Sequence, residues 1–464
     1  MKRVLFETDF LASQPVFYNE KTGKASHNIN DVIDYANLEL HPEGVNNYLD
    51  FGYSVLEQTP VKHVKFLRHS SRMWVDEQGK LSVEYLDDPV ARWLDYRLSE
   101  SDVVELIRER VRAWERTVEG EIVIPTSGGY DSRLLNWCIK EKSRIRSFTY
   151  GISENQAESY EVVYAKRLSE ILGTRWEQIQ LGDFHRYLDE WDCLFGVSTH
   201  AHGMYHIEFY DKILPKVHGG NPLLSGIIGD AWAGSVNIPE LASCVDVSRL
   251  GYTHGLQADS AQSAFCAQQS LLSAYYDTHK DRLADSRFRV VEAMRFKMVL
   301  LSYLFRVPMT MGFKPWSPFL DVDVCTAMLN VPTERRRDRI WQKELFRKVG
   351  LECESMALQA TRQSTLDMQA LRRIPARALD VKLLREVVKP EYLRWIDREL
   401  SIGSLPDRWQ RRIARWLAMR RGGWRVSQVL DRLCDAQDSR CITAYFAYVT
   451  LRPIENLLRR RSKE

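Results

Sequence analysis

The stretch IVIPTSGGYDSRLL, residues 122–135, narrows the choice of fold more than any other part of the chain. A β-branched apolar run ends at Pro125. A hydroxyl, two glycines, an aspartate and a second hydroxyl follow, and apolar residues then return at helical spacing. The pattern predicts a buried strand that enters a helix through one tight turn. Two consecutive residues without side chains let backbone N–H groups approach an anion, and the helix that follows adds the positive end of its dipole. Ser127, Gly128 and Gly129 therefore suit a phosphate cradle. Asp131 would repel phosphate directly, so its natural partner is Mg²⁺, which bridges phosphate oxygens. The Walker pattern G-x-x-x-x-G-K-[ST] is absent. Arg133 falls just inside the helix, where its charge opposes the dipole by about 0.3–1 kcal/mol unless an anion is present. It is assigned with Ser132 to the phosphate site. The structural alternative is a tight turn capped by an aspartate; the full S-G-G-x-D-S after an apolar strand favours the nucleotide.

This unit sits in a longer alternation. Strands are predicted at EIVIPT (121–126), IRSFTYG (145–151), TRWEQIQL (174–181) and PLLSG (222–226). Helices are predicted at SRLLNWCIK (132–140) and at ESYEVVYAKRLSEILG (158–173), the latter closed by Gly173. That order implies an α/β fold, an open parallel sheet with helices on both faces and ligands at the carboxyl ends of the strands. Ahead of it, residues 1–95 read as β-rich, with KHVKFLR (62–68) and SRMWVDEQGKLSVEYL (71–86) alternating around a turn at Glu77-Gln78-Gly79. SDVVELIRERVRAWERT (101–117) is an amphipathic helix capped by Ser101 or Asp102. From about 283 onward the pattern is mostly helical, and 366–464 forms a basic helical tail.

Bulk properties exclude several classes. At 464 residues, two or three domains are expected. A net charge of +3 is too mild to argue nucleic-acid binding. The 8 cysteines are scattered with no C-x-x-C pair, so neither a zinc ribbon nor a redox motif is visible. No apolar run is long enough to span a bilayer, and MKRVLFETDF is broken by Glu7 and Asp9, a poor signal peptide. A cytoplasmic protein is expected.

SGGYDS resembles the PP-loop of the ATP pyrophosphatase superfamily, and three further stretches resemble the asparagine synthetase family. LLSGIIGDAWAGS (223–235) is similar to the family's second nucleotide loop, which begins S-G-E-G-x-D-E; it retains Ser225, Gly226, Asp230 and Gly234. SPFLD (317–321) is similar to V-P-F-L-D. QKELFRKVG (342–350) resembles the K-x-x-L-R helix through Lys343 and Arg347. The resemblance implies an adenine nucleotide α-hydrolase-like sheet over 100–365. There ATP would be held by Ser127, Gly128, Gly129, Asp131, Ser132, Arg133, Ser225 and Gly226, and Mg²⁺ by Asp131 and Asp230. Lys343 would stabilise charge near the α-phosphate. A carboxylic acid would be adenylated with release of pyrophosphate, and ammonia or an amine would then displace AMP.

TPVKHVKFLRHSSRMWVDEQGKLSVEYLDD (59–88) resembles the end of that family's glutaminase domain. The family's nucleophilic cysteine follows the initiator methionine. Here Lys2 does, and the first cysteine is Cys138. Residues 1–95 are read as a degenerate remnant without thiol chemistry. Nitrogen would come from ammonia, an amine or a separate glutaminase. Other departures touch the acceptor side: Ile227 replaces the glutamate of S-G-E-G, Ala231 replaces the second acid of D-E, and Lys314 and Trp316 stand where E-x-R is usual. Amidation of a sugar uronic acid in surface-polysaccharide (O-antigen) synthesis is one implied role. Intramolecular amide closure, as in β-lactam or lasso-peptide synthetases, is a second, and a non-catalytic nucleotide-binding protein a third.

Two constellations remain. STHAHGMYHIE (198–208) groups His200, His202 and His206, whose spacing does not place three rings on one helical face. His202 and His206 lie one turn apart and are candidates for substrate contact and for the base lost with Ile227; ordinary packing is the alternative. Lys314 and Arg306 could pair with an acidic substrate or form surface ion pairs. The tail places Trp409, Trp416 and Trp424 among arginines, which reads as a helical subdomain with buried tryptophans, or as a surface for an anionic membrane or polyanion.

Overall fold

A computed structural model describes residues 3–94, 98–251, 256–266, 268–356, 358–373, 377–403 and 424–461. The amino-terminal part builds two small antiparallel sheets from β1 (Arg3–Glu7), β2 (Phe17–Asn19), β3 (Ala25–Ser26), β4 (Val64–Phe66), β5 (Ser71–Val75) and β6 (Leu81–Tyr85). They are ordered β1-β5-β6 and β3-β2-β4. The predicted turn at Glu77-Gln78-Gly79 closes the β5–β6 hairpin, with Ser71 opposite Tyr85 and Val75 opposite Leu81.

The central sheet comprises β7 (Ile122–Pro125), β8 (Ile145–Thr149), β9 (Arg175–Gln178), β10 (Pro222–Leu224) and β11 (Lys314–Trp316) in the order β11-β10-β7-β8-β9. Every pairing in it is parallel. Ile122, Val123 and Ile124 on the middle strand are wholly buried, as a strand covered by helices on both faces must be. β11 was not legible: Lys-Pro-Trp is three residues long with a proline at its centre, which is tolerated only because the strand lies at the sheet edge.

Local chemistry sets the helix ends. The helix Tyr160–Leu172 ends where Gly173 takes a left-handed conformation at φ 65°. The helix Glu100–Glu115 is capped by Ser99 rather than by Ser101 or Asp102; Asp102 serves instead as the third-residue partner of a capping box. The helix after β7 starts at Tyr130, two residues before the predicted start at Ser132.

Among the described residues after Leu283, helices predominate, interrupted by β11 and by connecting segments such as 351–365, and the last is the helix Trp424–Arg461. Trp409, Trp416 and the Trp424 side chain lie outside the described residues. Phe17, Val45, Tyr48 and Leu49 near the amino terminus share one apolar core with Val123 and Phe148 of the sheet and with Tyr445, Tyr448 and Leu451 of the last helix. The two ends of the chain thus cover the sheet together. Among the described residues, no helix is long and apolar enough to cross a membrane.

Candidate active site

The turn after β7 is braced from within. The Ser132 hydroxyl accepts from the Ser127 N–H at 3.1 Å and lies 3.1 Å from the Ser127 carbonyl, while the Ser127 hydroxyl accepts from the Gly129 N–H at 3.1 Å. Gly129 caps the helix Tyr130–Cys138 without a side chain, so the first N–H groups of that helix are left for another partner. A Cβ at Gly128 would fall 2.6 Å from the Tyr160 ring, so only glycine fits there.

The second loop follows β10 and abuts the first. A Cβ at Gly226 would lie 3.2 Å from the Asp131 Cβ. The Ser225 N–H donates to the Trp316 carbonyl at 2.9 Å, and the Ser225 hydroxyl accepts from the Ile227 N–H at 3.2 Å. Ile228, which stands where the family motif has its second glycine, keeps a left-handed backbone at φ 53°. For a β-branched residue that conformation costs about 1–2 kcal/mol. The SPFLD segment holds the loop from behind: the Trp232 indole donates to the Phe319 carbonyl at 2.9 Å, and Gly229 packs on the Phe319 ring.

Asp131 and Asp230 come from these two loops and face each other. Asp131 keeps some exposed surface, but its Oδ1 is sealed from water and has no hydrogen-bond partner in the protein. Burial, and next the Asp230 carboxylate, push the Asp131 carboxyl up to about 8. Asp230 accepts from the Ser235 hydroxyl at 2.7 Å. A divalent cation between the two would answer both the repulsion and the orphaned oxygen, so these residues fit Mg²⁺. Among the described residues no three metal-ligating side chains gather, so phosphate oxygens and water would complete its coordination.

The turn separates two unlike cavities. On one side a cleft of about 650 Å³ is lined by Gly128, Gly129, Gly234 and Ser235, with Arg339, Lys343, Arg347 and Arg362 opposite. Lys343 and Arg347 come from the helix Ile340–Lys348. Of the three acids lining this cleft, Asp338, Glu352 and Glu354, Glu352 is paired with Arg347 at 3.0 Å and Glu354 with Arg133 at 2.8 Å. On the other side, a pocket of about 280 Å³ has Ser127 and Ser225 on its wall and Phe148, Ile152, Phe209, Tyr210 and Leu304 around it.

Several residues differ in placement from their sequence reading. Arg133 is 1% exposed, and its charge is answered by Glu354 and by the Gly128 and Leu351 carbonyls rather than left open to the cleft. It shapes the turn from behind. Lys314 is exposed at the amino end of β11, beside Gly220, whereas the loops lie at the carboxyl ends of the strands. The structure does not bring it to the site. The Arg306 guanidinium stacks over the Phe195 ring at 4.5 Å and donates to the Leu194 carbonyl.

His202 and His206 also part company. The Ala201–Met204 segment is a tight 3-10 turn, and His202 Nε2 meets Asp367 at 2.7 Å. His206 instead lines the apolar pocket, its Nδ1 without a protein partner. Burial lowers the imidazoles of His200 and His206 to about 3, so both are neutral. Two cations were missed. Arg339 lies over the Tyr130 ring at 4.7 Å, holds φ at 55°, and favours the charged form of Asp131. The arginine-rich run just upstream of QKELFRKVG was the available signal. Lys297, on the mostly buried helix Ser286–Leu301, has its ammonium drawn down to about 8 by burial, against the pull of Asp230; nothing in the sequence marked it.

The family model for asparagine synthase matches residues 121–351. No curated protein matches the chain. Among solved structures, an NH3-dependent NAD synthetase from Campylobacter jejuni subsp. jejuni NCTC 11168, in complex with the nitrate ion, is 15% identical; the alignment covers 41% of this chain and 80% of that one at a TM-score of 0.21. The matched segment begins one residue before β7 and runs past the helix that bears Lys343. The sheet, both loops and Lys343 therefore lie within an asparagine synthase domain, a domain of ATP-dependent carbon–nitrogen ligases.

Proposed function

We propose that the chain adenylates a carboxylic acid with ATP, releases pyrophosphate, and passes the activated acyl group to ammonia or an amine. One observation carries this reading: the Ser127–Gly129 turn is the wall between an apolar pocket and a cationic cleft. A nucleoside suits the first, a polyphosphate the second, and the bond that breaks would lie over the turn. The N–H groups at the start of the Tyr130–Cys138 helix point at the departing pyrophosphate. Lys343, Arg339 and Arg362 meet its charge from across the cleft. Asp131 and Asp230 would hold Mg²⁺, which when bound neutralises phosphate oxygens. The acceptor side departs from the family. Ile227 and Ala231 are buried and apolar, so neither moves a proton.

The test is ATP–pyrophosphate exchange in the presence of Mg²⁺ and a panel of carboxylic acids, with uronic acids, amino acids and peptides as its arms. Exchange that requires one of these acids and disappears in Asp131→Ala is the expected result. ATP binding without exchange across the whole panel would favour the second reading, a nucleotide-binding protein without catalysis, which Ile227 and Ala231 motivate.

A further inference from the structure

A further cavity, of about 550 Å³, lies beyond the edge strand β9 and shares no lining residue with the cationic cleft. Four arginines reach it from three parts of the chain. Arg186 comes from the 3-10 turn Phe184–Tyr187, Arg373 ends the helix Leu366–Arg373 with Arg377 four residues on, and Arg452 belongs to the helix Trp424–Arg461. Arg452 is the most buried of them, at 8% exposed. Its Nη1 is taken by Glu455, whereas its Nε is sealed from water and has no partner among the described residues. His185 Nδ1, on the same wall, is in the same state. Buried polar atoms nearly always have a partner, so two such atoms on one wall point to a ligand that supplies it. Asp183 answers Arg186 at 3.5 Å on the surface. Among the described residues no carboxylate pairs with Arg373, which donates to the Gly182 carbonyl, or with Arg377, whose own carbonyl accepts from the Tyr448 hydroxyl at 3.5 Å. Asp189 is the single acid on the lining, and no lysine joins it. Arginine presents a planar fork of donors that matches carboxylate and phosphate oxygens. A carboxylate brings one charge and suits one fork. A phosphate monoester brings a charge of about −1.5 to −2 and three acceptor oxygens, which suits forks converging from three segments.

We infer that this cavity is a second anion site, which binds the phosphoryl group of a small phosphorylated molecule apart from the cleft assigned to ATP. The inference goes beyond the nucleotide reading and does not rest on it. The experiment is calorimetric titration of the full-length protein with inorganic phosphate and with acetate at one ionic strength, and with ATP and Mg²⁺ in parallel. The unaltered chain is compared with Arg373→Gln combined with Arg377→Gln. Both arginines are exposed, so the paired variant should fold normally. Its phosphate affinity should fall by about tenfold or more, and its ATP affinity should not change. Arg452→Gln should remove the same phosphate binding, and the exposed pair keeps the test open if loss of the buried cation unfolds that variant. Phosphate should bind the unaltered chain more tightly than acetate. No phosphate binding by the unaltered chain, or acetate bound as tightly, would overturn the inference. So would phosphate affinity that survives in the paired variant and falls in Lys343→Ala, since the anion would then sit in the cleft. Equal weakening of ATP and phosphate in the paired variant would overturn it as well.

Discussion

The Arg133 guanidinium grips both carboxylate oxygens of Glu354, at 2.8 and 3.0 Å, while donating to the carbonyl of Gly128 at 3.1 Å. A buried cation thus ties the Ser127–Gly129 turn to a segment more than two hundred residues away. Removing the acid strands that cation. Glu354 is about one-third exposed, so the cost should fall below that of a fully buried pair. Glu354→Ala is expected to lose about 2–3 kcal/mol in urea unfolding. Arg133→Met combined with Glu354→Leu should recover most of it, because no uncompensated charge is left behind.

Asp131 gives a pH signature. Its carboxyl is raised in the folded chain, so folding takes up a proton. Its contribution is fully present below the unfolded value near 4 and is lost as pH rises towards 8. In magnesium-free buffer at pH 8, Asp131→Asn should be more stable than the unaltered chain by about 1–2 kcal/mol. The gain should vanish near pH 4. A variant no more stable at pH 8 would show that the two carboxylates do not oppose one another.

Lys343 and Gly128 separate chemistry from folding. Lys343 is exposed to the cleft, so Lys343→Ala should leave the melting temperature unchanged. Acid-dependent pyrophosphate exchange should nevertheless fall by about 10²–10³. Gly128→Ala drives a Cβ to within 2.6 Å of the Tyr160 ring. It should cost about 1–3 kcal/mol and abolish ATP binding in the same calorimetric assay.

Asp88 ties the amino-terminal sheets to the synthetase core. It accepts from Arg295 at 2.7 and 2.9 Å and from Arg282 at 2.7 Å. Burial alone would raise its carboxyl, but the two arginines hold it well below the ordinary carboxylate range. That stability is present above the unfolded value and is lost as pH falls through the folded one. Asp88→Asn should expose the 86–92 segment to limited proteolysis at neutral pH, and the difference from the unaltered chain should shrink in acid.

Much of the fold was legible because it is local. Alternating apolar residues made β5 and β6, a β-branched run made β7, and glycine closed the helix at Gly173, each through interactions within a few residues. The S-G-G-Y-D-S turn was legible for the same reason, since its glycines and hydroxyls answer one another over six positions. β11 was not, because three residues around a proline acquire strand geometry only from the edge of β10. The Ser99 cap was missed by two residues because several acceptors competed for the same N–H groups, and packing of the helix chose among them.

What the chain determined by itself, then, was the parallel sheet and the glycine turn that joins β7 to its helix, both written in short-range patterning. Tertiary structure alone decided that Arg133 would be spent on Glu354, that Arg339 and Lys297 would join the acids, and that His206 would face a pocket while His202 turned to Asp367. Charge and burial act through space across segments far apart in sequence, so the electrostatic partners of a site are set only when the chain has folded around it.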